Sequence, residues 1–360
     1  MESFVYEGHP GRTLFGTGTL GRLSEEIDRL GLQRLVLISG PQQEATLQDV
    51  AGRLGGRVAG LFAQAAMHTP TDVTAKAMEL VTASKADGVL ALGGGSAIGL
   101  GKAIAYRTDL PQVVVPTSYA GSEMTPILGQ TENGAKTTVR DSSILPELVV
   151  YDVDLTLTLP VAMSVTSGFN AIAHAVEALY ARDRNPVTDL IAVEAVRALT
   201  QALPRIVQDP ADVAARGDAL YGAWLAGTCL GTVGMSLHHK LCHVLGGSFN
   251  LPHAETHTIV LPHALAYNRP AIDHAVRRLA PVLGDDPAAA LHALAGELGA
   301  PRALAELGMP EEGIATAVEQ ALATPYWNPR ALEAAGLREL IARAWSGAEP
   351  QPPAEEGRTS

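Results

Sequence analysis

Residues 88–105 read GVLALGGGSAIGLGKAIA. A short aliphatic run, Val89–Leu92, breaks into Gly93-Gly94-Gly95 and then into an apolar pattern of helical period from Ser96 to Tyr106. Strand, tight turn and helix in that order form the repeating half of a parallel α/β sheet. Ser96 is placed to cap the helix. Glycines let a ligand approach the backbone closely, and a helix N-terminus offers free N–H groups and a positive dipole end, the combination a pyrophosphate needs. The stretch is neither of the best-known phosphate loops. Ile98 breaks G-x-G-x-x-G, and Ala103 stands after Lys102 where the P-loop carries Ser or Thr. Glycine-rich turns of this kind also occur without a ligand.

Working outward, the same alternation continues. Helical patterns at Thr19–Leu30, Gln42–Leu54 and Pro70–Ser84, the last capped by Thr69, separate strand-like runs at Arg34–Ser39, Arg57–Phe62 and Gln112–Val115. Short aliphatic strands between amphipathic helices predict a Rossmann-like parallel sheet covered on both faces. Pro116–Thr125 (PTSYAGSEMT) forms a second small-residue loop at the carboxyl edge, where open sheets bind ligands. The candidate cofactor contacts are therefore Gly93, Gly94, Gly95, Ser96, Thr117, Ser118 and Ser122, with ordinary turn chemistry as the alternative. A hairpin is expected over Gly129–Val139, and one more strand at Leu148–Asp152.

From Asp154 strand-like alternation stops. Six helical patterns follow, from Pro160–Ala181 to Ala271–Leu283, with shorter ones to Ser346. The expected organisation is an α/β domain over 1–155, an all-helical domain over 156–346 and a disordered Pro- and Glu-rich tail over 347–360.

The chain has 360 residues, 47% of them hydrophobic, 18% charged and only 4% aromatic, so its core is aliphatic. A net charge of −12 argues against nucleic acid and anionic membrane as partners. An anionic substrate would need a local cationic cluster. Cys229 and Cys242 lack CxxC spacing, and no leader or membrane span is evident, so a cytoplasmic setting is expected.

Leu237–His263 carries His238, His239, His243, His253, His257 and His263. His239 and His243 share a helix face, as do Asn170 and His174. Facing helices would bring these together to hold a metal, handle a proton or pack.

The motifs ADGVLALGGGSAIGLGKAIA, PTSYAGSEMT, LPELVVYDVDLTLTLP, SGFNAIAHAVEALYA and HHKLCHVLGGSFNLPHAETHTIVLPHALAYN, in this order, resemble the iron-containing (group III) alcohol dehydrogenase superfamily over roughly residues 10–345. Within it the chain is most similar to the branch that reduces maleylacetate, on its FVYEG…GRTLFG start, the short PTSYAGSEMT loop, Lys136-Thr-Thr-Val-Arg140-Asp141 and Asn328-Pro-Arg330. The resemblance implies a dehydroquinate synthase-like architecture with an NAD(P)-binding domain, a helical catalytic domain and a homodimer. Metal-holding members use an Asp and three His; those positions fall on Asn170, His174, His239 and His253, so the anionic ligand is replaced by an amide. No obligate metal is expected.

A conjugated keto-dicarboxylate such as maleylacetate can be reduced without a Lewis acid, if donors stabilise an enolate and deliver a proton. His243, then His253, are the expected donors. Asn170, His174, His239, Lys136, Arg140, Lys240, Tyr326, Asn328 and Arg330 are candidates for holding the substrate, and Lys136 is a candidate for the cofactor as well. Ser39-Gly40 ends its strand without the carboxylate that excludes NADP, so both NADH and NADPH are expected as cofactors. The alternatives are a metal-dependent alcohol dehydrogenase, a lyase of the dehydroquinate synthase type, and a non-catalytic NAD-responsive protein.

Overall fold

The computed structural model describes residues 4–9, 11–132, 135–324 and 326–352. Eight strands are present among them: β1 (Arg12–Gly16), β2 (Leu35–Ile38), β3 (Val58–Phe62), β4 (Gly88–Gly93), β5 (Gln112–Pro116), β6 (Ile127–Glu132), β7 (Ala135–Arg140) and β8 (Leu148–Asp152). Six form one parallel sheet in the order β1-β8-β5-β4-β2-β3, and β6 pairs antiparallel with β7. The hairpin is therefore as expected, although its tip, Asn133-Gly134, lies outside the described residues.

Thirteen helices accompany them. In the α/β half they are α1 (Leu23–Leu30), α2 (Glu44–Leu54), α3 (Thr71–Ser84) and α4 (Gly95–Thr108). The remainder are α5 (Val161–Ala178), α6 (Pro186–Gln208), α7 (Val213–Thr232), α8 (Leu237–Phe249), α9 (His253–Asn268), α10 (Asp273–Leu283), α11 (Pro287–Glu297), α12 (Gly313–Ala323) and α13 (Ala334–Ser346).

Strand alternation sorts the two sheet faces. Leu35 and Leu37 of β2, with Leu90 and Leu92 of β4, pack under α1 and α2. Val36, Ile38, Val89 and Ala91 pack under α3 and α4. Because α2 and α4 lie on opposite faces, the strand order reverses between β2 and β4. That is the switch point where an open α/β sheet forms its ligand crevice.

The chain divides into two compact units: Gly8–Leu159 with Pro210–Gly231, and Pro160–Asp209 with Thr232–Ser360 and Met1–Glu7. Almost all of α7, which the pattern change near residue 155 would place in the helical domain, thus belongs to the α/β unit. Its Gly227 and Gly231 face explains why. A Cβ at Gly227 would lie 2.4 Å from the Gly121 carbonyl oxygen, and one at Gly231 would lie 2.5 Å from that of Met124, so α7 rests directly on the 121–125 loop.

Two caps differ from expectation. The cap residue of α4 is Gly94 and Ser96 lies inside the first turn, because Gly93 at φ 141° starts the helix earlier. Pro70 is the cap residue of α3. Thr69 adopts φ 49° and turns its hydroxyl toward α4, to 2.3 Å from where a Gly99 Cβ would stand.

The helical unit has its own core. Leu237, Leu241 and Leu245 of α8 meet Ile259 and Val260 of α9, Ala317 and Ala321 of α12 and Leu337 and Ile341 of α13. Residues 347–352 of the tail form no regular element, and 353–360 lie outside the described residues. No described helix is long and apolar enough to cross a membrane.

Candidate active site

In the α/β unit the carboxyl ends of β2, β4 and β5 lie side by side and carry Ser39-Gly40, Gly93–Ser96 and Thr117-Ser118. The Thr117 amide donates to the Gly93 carbonyl at 3.2 Å, which ties the two glycine- and hydroxyl-rich loops together. Gly93 needs its glycine for φ 141°. A Cβ on Gly94 would come within 2.9 Å of Ser118 Oγ, whereas one on Gly95 would meet nothing within 4 Å. The first turn of α4 is therefore open at Gly95, with its N–H groups free to receive an anion, and this cradle fits the pyrophosphate of a dinucleotide. Ser39 is buried, and its hydroxyl donates to the Gly40 carbonyl at 3.0 Å.

In the helical unit α5, α8 and α9 converge on the histidines. α5 presents Asn170, His174 and Glu177, α8 presents His238, His239 and His243, and α9 presents His253 and His257. Ring centroids are 5.1 Å apart for His174 and His239, 5.0 Å for His239 and His257, 4.8 Å for His238 and His257, and 4.2 Å for His253 and His257. His243 lies 6.5 Å from His239. Asn170, His174, His238, His239 and His257 are buried, whereas His243 and His253 are exposed. The cluster thus runs from a solvent-facing pair into the protein.

Glu177 organises it. This fully buried carboxylate accepts from the backbone N–H groups of Ser236 (3.2 Å), His238 (2.9 Å) and His239 (3.4 Å), and so caps α8. It also accepts from His239 Nδ1 at 2.5 Å, which turns Nε2 of that ring away from Glu177. His238 Nε2 donates to the His257 carbonyl at 3.1 Å. His239 Nε2, His174 Nδ1 and both ring nitrogens of His257 are buried without hydrogen-bond partners among the described residues.

Burial holds these rings neutral. It pushes His238 down to about 4 and, with His243 beside it, His239 to about 3; the Glu177 contact works in the opposite direction. His174 and His257 are held well below the usual imidazole range by burial and then by the neighbouring imidazoles.

His238, His239 and His257 bring ligand atoms within 4.8 Å of one another, the arrangement of a nitrogen-rich metal site. The iron set of an Asp and three His is not reproduced. Asn170 supplies a neutral amide, and Glu177, the carboxylate in contact with the cluster, is committed to the α8 N-terminus and to His239. A neutral donor set of this kind does not match the carboxylate-containing sites that iron favours.

The other sequence candidates separate. Lys240 Nζ lies 5.4 Å from the centre of the Tyr326 ring, and the Tyr326 hydroxyl is buried without a hydrogen-bond partner among the described residues. Arg330 donates to the Tyr267 carbonyl at 3.0 Å and stacks on that ring. Asn328 exchanges hydrogen bonds with Asn268 at 2.7 and 3.1 Å. These two fasten the segment before α13 to the end of α9. Arg140 donates to the Gly231 carbonyl and fastens β7 to α7. Lys136 lies in β7 with its side chain outside the described residues. Sequence reasoning missed Glu177 and His257, although each has a helical-spacing signal: Glu177 follows His174 by three residues and His257 follows His253 by four.

A doubly wound dinucleotide-binding sheet together with a helical unit carrying a histidine cluster defines a nicotinamide-dependent dehydrogenase class. The chain belongs to the iron-containing alcohol dehydrogenase family: residues 10–153 match the family's iron-containing alcohol dehydrogenase model, and residues 164–345 match the model of its C-terminal part. Within that family it is 55% identical to the maleylacetate reductase of Rhizobium sp. strain MTP-10005, with 98% of this chain and 100% of that one covered. It is 52% identical to the maleylacetate reductase of Sphingobium indicum, with 96% and 99% covered. The crystal structure of maleylacetate reductase from Agrobacterium tumefaciens superposes with a TM-score of 0.95 at 55% identity, covering 97% of this chain and all of that one.

Proposed function

We propose that this chain reduces the conjugated carbon–carbon double bond of maleylacetate, giving 3-oxoadipate in the breakdown of aromatic compounds, with NADH or NADPH as reductant and without an obligate metal. The observation that carries the reading is the histidine cluster built around a neutral Asn170 and opening to solvent through His243 and His253. The similarity to maleylacetate reductases over nearly the whole chain supports it.

The reaction takes up one hydride and one proton. A reduced nicotinamide, when bound, supplies the hydride to the carbon β to the ketone. His243 donates a hydrogen bond to the ketone oxygen, where enolate charge develops, and a proton passes to the neighbouring carbon from His243 or, as second choice, His253. The buried neutral rings of His174 and His239, with Asn170, shape the pocket floor. Lys240 and Tyr326 receive a substrate carboxylate, with Lys136 and Arg140 as further cationic contacts and Asn328 and Arg330 holding the segment that carries Tyr326.

Gly93, Gly94, Gly95 and Ser96 hold the pyrophosphate, with Thr117, Ser118 and Ser122 beside it. Ser39-Gly40 leaves the ribose 2′ position free of a carboxylate, so both cofactors are accepted. We further propose a cytoplasmic homodimer, consistent with Cys229 and Cys242 being free and buried. The test is oxidation of NADH and NADPH by maleylacetate, with and without a chelator. Turnover with both cofactors, unchanged by the chelator, is expected. Loss of activity on chelation, or a preference for NADH above about a thousandfold (~4 kcal/mol), refutes the corresponding part.

A further inference from the structure

Lys102 follows Gly101 in the glycine-rich stretch, where a phosphate-binding lysine would be sought, yet its ammonium faces the other way. The side chain is 1% exposed. Nζ contacts five oxygens: the Thr125 carbonyl at 2.8 Å and hydroxyl at 2.9 Å, the Ile127 carbonyl at 2.9 Å, the Ser122 hydroxyl at 3.3 Å and the Ser122 carbonyl. An ammonium has three N–H donors, so all are engaged and none is left for a phosphate. The same loop is held from the opposite side, where the Tyr151 hydroxyl of β8 donates to Glu123 Oε1 at 2.8 Å. Glu123 and Lys102 are both buried, and they sit close enough to favour each other's charge.

We propose that Lys102 is a positioning residue for cofactor binding: its buried ammonium gathers the Ser122–Ile127 turn and thereby fixes the PTSYAGSEMT loop against the Gly93–Ser96 cradle. Three observations converge on this. The acceptors belong to one loop segment. That segment follows Thr117 and Ser118, whose backbone and hydroxyl touch Gly93 and Gly94. And α4 carries Lys102 two turns after the cradle itself, so the lysine sets the distance between the two loops. The inference rests on a nicotinamide being bound at the cradle, but not on the identity of the substrate.

Lys102→Met keeps the length and apolar stem of the side chain and removes the donors. NADH binding is read by fluorescence titration without substrate, followed by steady-state kinetics in both substrates. The expected result is a tenfold or greater rise in the NADH dissociation constant and in KM for NADH. At saturating NADH, kcat and KM for maleylacetate change less than about threefold. A variant with a lowered melting temperature but wild-type NADH affinity overturns the proposal and leaves Lys102 a purely structural residue. If Lys102→Met does not fold, Thr125→Val, which removes one acceptor, is read in the same way: a two- to fivefold loss of NADH affinity is expected, and unchanged affinity overturns the proposal. Wild-type protein that binds NADH but does not reduce maleylacetate refutes the proposed reaction while leaving this test intact.

Discussion

Replacing Gly227 by Ala should destabilise the protein, although the substitution exchanges a poor helix former for the best one. In the interior of a helix such as α7, Gly→Ala ordinarily gains about 0.8–1.0 kcal/mol. At position 227 the new methyl would stand 2.4 Å from the Gly121 carbonyl oxygen, 2.9 Å from its Cα and 3.0 Å from its carbonyl carbon. These are backbone atoms, and Gly121 is held at φ 74° in a loop tied to Lys102 and Tyr151, so no side chain can swing aside. Overpacking of this kind typically costs about 1–3 kcal/mol, which leaves a net loss of about 1–2 kcal/mol. Gly217 supplies the control on the same helix. A Cβ there would meet only Val153 at 3.7 Å, an ordinary contact, and Gly217→Ala should be neutral or stabilising by up to about 1 kcal/mol. Urea and thermal denaturation measure both. For a unit of this size roughly 2–4 °C accompanies each kcal/mol, so the two variants should move the melting temperature in opposite directions or by clearly different amounts. Equal stability of Gly227→Ala and Gly217→Ala would refute the close α7–loop approach as the reason α7 joins the α/β unit.

Two further outcomes follow from the histidines. His243→Ala should lower kcat with maleylacetate by a hundredfold or more, the usual scale for a positioned acid, while NADH affinity stays within about twofold; near-full turnover removes His243 from the mechanism. His263 is buried away from that cluster, has no hydrogen-bond partner for either ring nitrogen among the described residues, and is pushed down to about 3 by burial and then by His292 and Arg343. The folded state therefore refuses a proton that the unfolded chain accepts below about 6.5. Its contribution is fully present above that value and is lost as pH falls from 6.5 toward 3. His263→Phe should recover about 2 kcal/mol at pH 5 relative to pH 7.5 in urea unfolding; an unchanged pH slope would count against the assignment.

The α/β half was legible because burial on both sheet faces leaves a strong trace: aliphatic runs such as Val89–Leu92 and Val113–Val115 alternate with helices at regular spacing. The cofactor edge was legible for the same reason, since Gly93-Gly94-Gly95 mark a backbone that something must approach. Long-range packing was not. Nothing local in α7 distinguishes Gly227, pressed on a loop backbone, from Gly217, which is not, so the position of α7 stayed hidden. Glu177 lay in plain view one turn after His174, but its role depends on α8 starting at the point in space where that carboxylate sits. Arg140, Asn328 and Arg330 show the reverse error. A cation or amide in a motif looks like a substrate ligand, yet each makes a backbone or side-chain contact that fastens the chain to itself.

Glu177 also changes what the histidine cluster requires. In a metal site, the ion itself often holds several imidazoles in register, and carboxylates behind them orient the rings. Here a single buried carboxylate performs that orienting task with no ion as intermediary: it satisfies the first N–H groups of α8, locks the Nδ1 side of His239 and so directs Nε2 inward. The desolvation of Glu177 is offset by those four donors together with the Ser236 hydroxyl at 3.2 Å. The charge needed to order the cluster therefore stands outside it, and the position facing the cluster from α5 holds the neutral Asn170. A dianionic substrate would be repelled by a carboxylate at that position, whereas it meets no negative charge from an amide and neutral imidazoles. The same substitution that weakens iron binding thus makes the pocket tolerable to maleylacetate.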